Sequence, residues 1–174
     1  MNAKTKSSRH LLSFRSLSPN HGCIHLQGLG HALIKVGDNG FPCQLSLLDH
    51  PIQDLPVPDP TTSRWLEHLH TWWVNPSIPM LPCPLPEGTE WQQIVWRALT
   101  TIPSGATRSY ADIALILGRP TAQRAVAQAC ASNPLPLFIP CHRVIARNGT
   151  MAGYRFGLER KRLLLQREQL TSRQ

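Results

Sequence analysis

The stretch from Asn133 through Cys141, His142 and Arg143 to Ile145 carries the densest chemistry in the chain. Pro134, Pro136 and Pro140 rule out a continuous helix there, because each lacks an N–H and restricts the residue before it. Leu137, Phe138 and Ile139 are apolar, so Cys141 is expected at the end of a buried, extended and rigid segment. A thiol attacks as thiolate, and a neighbouring His142 and Arg143 favour that form. The gain is small: with a free thiol pKa near ~8.5, depression yields only about tenfold more thiolate, and nucleophilicity falls with pKa. Fast attack on an unreactive ether carbon therefore also needs positioning and help for the leaving group. Tyr110 and Lys161 are the candidate donors. Lys161 shares an i, i+3, i+4, i+7 helical face with Leu164, Leu165 and Glu168. Two charges on an apolar face are costly unless paired; the alternative is a solvated helix edge. Cys23, Cys43 and Cys83 have no polar catalytic company, and Cys130 is expected to pack on a helix.

The elements that must hold these groups are legible from Thr89 onward. Thr89 with Gln92, and Ser109 with Asp112, have capping-box spacing. The first opens a helix with Trp91, Ile94, Val95, Ala98 and Leu99 on one face. The second opens a short helix with Ile113, Ile116 and Leu117 that stops at Gly118. After Arg119-Pro120 a helix is expected from about Thr121 to Ser132. Its Ala122, Ala125, Val126 and Ala129 fall at inward spacing; Gln123, Arg124, Ala127, Gln128 and Ala131 form the other face. Two short helices joined by a tight Gly-containing turn have the form of a helix-turn-helix, although an ordinary helical hairpin has the same pattern. Small side chains let such a helix approach a nucleic-acid groove, with Arg124 as the reaching group.

Residues 1–50 hold short apolar stretches, Cys23–Leu26, His31–Val36 and Gln44–Leu48, with a hairpin turn at Asp38-Asn39-Gly40. A helix is expected near Thr62–Trp73, and Pro76, Pro79, Pro82, Pro84 and Pro86 mark residues 75–88 as an extended linker. The domains are thus set at 1–84 and 85–174. The fold class is α+β: a small α/β N-terminal domain, then an all-helical domain with a helix-turn-helix. The chain carries net charge +8, unevenly spread. Residues 51–90 hold Arg64 against five acidic residues, whereas 141–174 hold eight basic residues against Glu159 and Glu168. A basic end attracts a polyanion, nucleic acid being the common one. Five cysteines without regular spacing make a poor disulfide framework. Met1–Phe14 lacks the apolar stretch of a signal peptide, and no run reaches membrane-span length. A cytosolic protein with free thiols is expected.

In Pro140-Cys141-His142-Arg143-Val144 the chain resembles the O6-alkylguanine-DNA alkyltransferases, also called methylated-DNA–protein-cysteine methyltransferases. The resemblance runs from about Thr89 to Glu168. Its motifs occur in order: Trp96 with Ile102-Pro103, Thr107-Arg108-Ser109-Tyr110, Arg124-Ala125-Val126, Asn133-Pro134, Asn148-Gly149 and Gly153-Tyr154. It implies that Cys141 accepts the alkyl group. His142 relays the thiol proton through a water, Glu168 orients His142, and Asn133 holds the preceding turn. Tyr110 helps protonate the departing guanine, with Lys161 in support, and Arg124 fills the gap left by a flipped nucleotide. The second helix enters the minor groove of double-stranded DNA. Contacts are expected from Thr121, Gln123, Arg124, Ala125, Ala127, Gln128 and Arg143. The base pocket is expected at Tyr110, Cys130, Val144, Tyr154 and Arg155. Arg155-Phe156-Gly157 departs from the glycines of many members, which implies a narrower pocket. Some members bind zinc in the N-terminal domain; Cys23, His25 and Cys43 lack compact ligand spacing, so no metal is expected.

The implied activity is irreversible, single-turnover alkyl transfer from O6-alkylguanine, with O4-alkylthymine a further candidate, by a monomer without a cofactor. Three other readings remain: a non-catalytic lesion-binding relative, a Cys-His hydrolase and a helix-turn-helix transcription factor. Such lesion binders lack the acceptor cysteine. The hydrolase needs an oxyanion site and turns over repeatedly. The transcription factor needs sequence selectivity that an Ala-rich helix face does not promise.

Overall fold

The computed structural model describes residues 17–75, 77–151 and 153–171. The expectations for Met1–Phe14 and for Pro76 in the linker lie outside the described residues. Three strands, β1 (His21–Leu26), β2 (Gly30–Val36) and β3 (Pro42–Leu48), form an antiparallel sheet in sequence order. Gly28 (φ 79°) turns β1 into β2. The expected Asp38–Gly40 turn joins β2 to β3, where Asn39 Oδ1 accepts from Phe41 N at 3.1 Å. Helix α1 (Pro60–Val74) lies across β1 and β2. Asp59 caps it by accepting from Thr62 N at 2.7 Å, with Pro60 at its start. Leu69 and Trp72 are buried with Leu26, Ile34, Val36, Leu45 and Leu47 of the sheet.

Helix α2 (Glu90–Thr100) carries the full capping box of Thr89 and Gln92. Its buried residues are Val95, Trp96 and Leu99, whereas Ile94 is exposed. The inward stripe is thus rotated from the expected face, because Trp96 donates its indole N–H to Ala129 O at 2.8 Å and must sit in the core. Helix α3 (Tyr110–Ile116) has the Ser109–Asp112 capping box. It buries Ile113 and Ala114 and leaves Ile116 exposed. Gly118 (φ 69°) reverses the chain. Helix α4 spans Gln123–Ala131, so Thr121 lies in the turn and not in the helix, Arg119-Pro120 having tightened the entry. Val126 and Ala129 face inward; Ala125, expected inward by spacing, is exposed.

The C-terminal part is not all-helical. Strands β4 (Arg108–Ser109) and β5 (Val144–Ile145) pair in parallel, a two-residue ladder too short to show periodicity in sequence. Helix α5 (Leu158–Thr171) follows. The sheet and the helices are tied together by Leu45 N donating to Pro134 O at 2.7 Å and by Arg160 of α5 donating to Leu29 O at 2.7 Å. The fold is α+β, and no helix among the described residues is long and apolar enough to cross a membrane.

Candidate active site

Asn133 ties the proline-rich stretch together. Its Oδ1 accepts from Leu135 N at 2.9 Å, and its Nδ2 donates to Ile139 O at 2.8 Å. The same Nδ2 stands 3.2 Å from Cys141 Sγ. One buried amide therefore closes the loop and touches the sulfur. Leu137 takes a left-handed φ of 79°, a strain that the buried surroundings hold in place. Cys141 to Arg143 form a single 3-10 turn, and β5 then aligns the chain beside β4, which leads into Tyr110.

Behind the thiol stands an ionic group. His142 Nε2 lies 2.8 Å from Glu168 Oε1, with both side chains almost wholly buried. Arg143 donates to both oxygens of the same carboxylate, Nε to Oε2 at 3.0 Å and Nη2 to Oε1 at 2.8 Å, and also to Ile102 O. Gly105 N donates to Oε2 at 3.3 Å. Burial pushes the Glu168 carboxyl up, but hydrogen bonds from His142 and Arg143 outweigh it and bring it down to about 2. A carboxylate only accepts, so Nε2 carries the hydrogen. Burial holds His142 below its ordinary range, hence neutral, and its Nδ1 is a bare acceptor without a hydrogen-bond partner among the described residues. Arg143, expected to face DNA, instead clamps Glu168; that correction follows from its inward guanidinium.

Lys161 is fully buried and donates to Val144 O at 2.6 Å. The helical spacing of Lys161, Leu164 and Glu168 thus marks a buried face, not a solvated edge. Val144, expected in the pocket wall, is wholly buried behind it and contributes this carbonyl instead.

Cys141 is only 7% exposed, yet it lines a cavity of ≈ 340 Å³. Tyr110, Cys130, Tyr154 and Arg155, four of the residues expected at a base pocket, line it together with Asn133 and with Ala127 and Ala131 of α4. Gly153 and Phe156 complete the wall. Sequence reasoning missed Ala131, Gly153 and Phe156 as lining. The signal available was the i, i+4 spacing of Ala127 and Ala131 around Cys130, which keeps one helix face shallow. Burial pushes the Cys141 thiol up; the Asn133 hydrogen bond and the Lys161 and Arg155 cations pull the other way. The neighbours expected to favour thiolate, His142 and Arg143, act instead on Glu168. Burial and the nearby thiols raise Tyr110 to about 12, so it stays protonated. Gln123, Arg124, Ala125 and Gln128 lie exposed on α4, with Thr121 exposed just before it. Among the described residues no three His, Cys, Asp or Glu side chains gather in a way that could hold a metal ion.

The DNA-binding-domain model of 6-O-methylguanine DNA methyltransferase matches residues 90–170. The chain is 40% identical over 151 residues to the bifunctional transcriptional activator/DNA repair enzyme Ada of Escherichia coli (strain K12), covering 80% of this chain and 43% of that protein. It is 51% identical over 85 residues to the inducible methylated-DNA–protein-cysteine methyltransferase of Bacillus subtilis (strain 168), covering 49% and 48%. The matched segments span about half or less of the curated relatives. The crystal structure of the Mycobacterium tuberculosis O6-methylguanine methyltransferase superimposes with a TM-score of 0.74 at 34% identity, covering 87% of this chain and 93% of that one. A structure of the same organism's protein in complex with DNA aligns equally well, at 35% identity and the same coverage. With matching motifs, matching fold and a buried cysteine on an open cavity, the chain belongs to the O6-methylguanine-DNA methyltransferase family.

Proposed function

We propose that this protein repairs alkylated DNA by moving the alkyl group from O6 of guanine irreversibly onto Cys141. The observation that carries the reading is a rigidly held Cys141 on the wall of a cavity bordered by α4, with a neutral, base-competent His142 next in sequence. The target base must leave the stack, because its ether carbon is out of reach inside a duplex. His142 Nδ1 accepts the thiol proton, through a water, and Glu168, kept ionised and in place by Arg143, stabilises the imidazolium so formed. The Asn133 amide and the Lys161 ammonium favour the thiolate. Sγ attacks the alkyl carbon, the C–O6 bond breaks, and the purine takes up a proton with Tyr110 as donor and Lys161 in its support. Tyr110 regains a proton from solvent as the His142 imidazolium gives one up, so on balance the thiol proton ends on guanine and the product is a thioether. No ordinary cellular reductant reverses it, so each molecule acts once, without a cofactor.

In the same reading, α3, the Gly118 turn and α4 form a helix-turn-helix, and α4 enters the minor groove of double-stranded DNA. Arg124 fills the space of the flipped base; Thr121, Gln123, Ala125, Ala127 and Gln128 line the approach. Basic residues elsewhere supply sequence-independent affinity. Residues 85–174 are the catalytic and DNA-binding domain and 1–84 a supporting one, in a cytoplasmic monomer. The test uses a duplex containing O6-methylguanine. Intact mass should rise by one methyl group, mapped to Cys141; Cys141→Ala should lose transfer and retain DNA binding. A Cys141→Ala protein that still demethylates the duplex would falsify the assignment of the acceptor.

A further inference from the structure

The cavity wall holds one cation without an ionic partner. Arg155 lines the cavity, with its guanidinium 5.2 Å from the Phe156 ring centroid, and it makes no hydrogen bond or ion pair among the described residues. Beside it, Tyr154 lines the same cavity and its buried hydroxyl has no hydrogen-bond partner among the described residues. The remaining wall is largely small or aromatic: Ala127, Ala131, Gly153 and Phe156. A methyl group at Cys141 would use neither polar group.

We propose that Arg155 and the Tyr154 hydroxyl form a subsite for a carboxylate carried on the departing alkyl group, so that the protein selects O6-carboxymethylguanine over a neutral adduct of equal size. This rests on the alkyl-transfer reading and deepens it. The reacting carbon must stand at Cys141 Sγ, so its substituent occupies what remains of the cavity. A carboxylate there loses water and faces the developing thiolate, and both effects oppose binding. A guanidinium at the wall offsets both through charge-assisted hydrogen bonds, and the phenol satisfies one further lone pair. In the step itself, Sγ bonds to the methylene carbon as the carbon–O6 bond breaks. The thiol proton, taken by His142, is replaced by one on the guanine ring. The products are S-carboxymethylcysteine and guanine, with no change in oxidation level.

The experiment compares three duplexes under single-turnover conditions, carrying O6-methylguanine, O6-carboxymethylguanine or its neutral isostere O6-carbamoylmethylguanine. Wild-type protein and Arg155→Gln are each scored by intact mass and by rate. The expected result is a carboxymethyl-to-carbamoylmethyl rate ratio above one, on the order of tenfold, that collapses in Arg155→Gln and returns in Arg155→Lys in part. The ratio within each protein cancels any loss of fold or DNA affinity. A ratio unchanged by Arg155→Gln overturns the proposal, as does wild-type preference for the amide. Equal slowing of both adducts, with weaker binding to undamaged duplex, would make Arg155 a phosphate contact instead. Methyl transfer without transfer of either larger group removes the subsite but keeps the alkyl-transfer reading. Absence of methyl transfer removes both.

Discussion

At the scale of single residues, Cys141 is defined by competing fields. Burial disfavours its thiolate, while Asn133, Lys161 and Arg155 favour it. The net rise leaves a resting thiol, and a neutral His142 is ready to take its proton, so the transfer rate should be level around neutral pH and fall as acid protonates His142, below the ordinary histidine range. Asn133→Asp places a carboxylate where an N–H donor touched sulfur, and should slow single-turnover transfer at neutral pH by at least tenfold. A rate that climbs steadily from neutral pH through the ordinary thiol range would contradict proton transfer to His142. Glu168 has the opposite sign. Its folded pKa, about 2, lies below the unfolded carboxyl value, so its contribution to stability is present above pH ~4.3 and is lost as pH falls through its folded pKa. Urea midpoints of wild type should therefore drop between those limits, and Glu168→Gln should flatten that segment. Removing the buried carboxylate leaves Arg143 and His142 without it, and Glu168→Ala should lose about 3–5 kcal/mol at neutral pH.

At the scale of elements, the site depends on how α3 and α5 begin and face. Ser109 Oγ accepts from Asp112 N at 3.1 Å and Asp112 Oδ2 accepts from Ser109 N at 2.8 Å, which fixes the first turn that presents Tyr110. Ser109→Ala should lose about 1 kcal/mol in urea unfolding. Its rate loss should exceed its loss of affinity for undamaged duplex, because α4 begins at Ala122 and takes no cap from Ser109. Helix α5 supplies Lys161 and Glu168 from one face, two turns apart. Capping boxes and this spacing were readable from sequence because hydrogen-bonding pairs three and four residues apart are local. The true inward stripe of α2 was not, since Trp96 takes its place from its hydrogen bond to Ala129 O on α4.

At the scale of the whole molecule, the sheet layer backs the catalytic helices through a few long-range ties. Arg160 donates to Leu29 O, and its other end pairs with Asp49 at 2.8 Å. Arg167 stacks over Trp72 and Trp73, with centroid distances of 4.5 and 4.9 Å, and donates to both of their carbonyls. Gly30 sits at this seam with φ 100°; a Cβ there would lie 2.4 Å from Leu48 O and 2.8 Å from Arg160 Nη2. Gly30→Ala should lower the melting temperature by more than Gly118→Ala, where φ is 69° but the space is open. Equal losses would show that backbone strain alone, not the seam, governs Gly30.

The pairing of Cys141 with His142 on a proline-bounded stretch, the two capping boxes, the hairpin and the basic end were all determined by sequence alone. Each rests on residue type and short-range spacing, which act before the chain folds. Tertiary structure alone decided that Arg143 turns inward to Glu168, that Val144 lends only a carbonyl, and that Phe156 and Ala131 wall the cavity. Those outcomes depend on which groups meet across the chain, 25 residues apart for Arg143 and Glu168 and 17 for Val144 and Lys161. A buried carboxylate captures the nearest cations wherever they lie in sequence, and linear spacing holds no record of that competition.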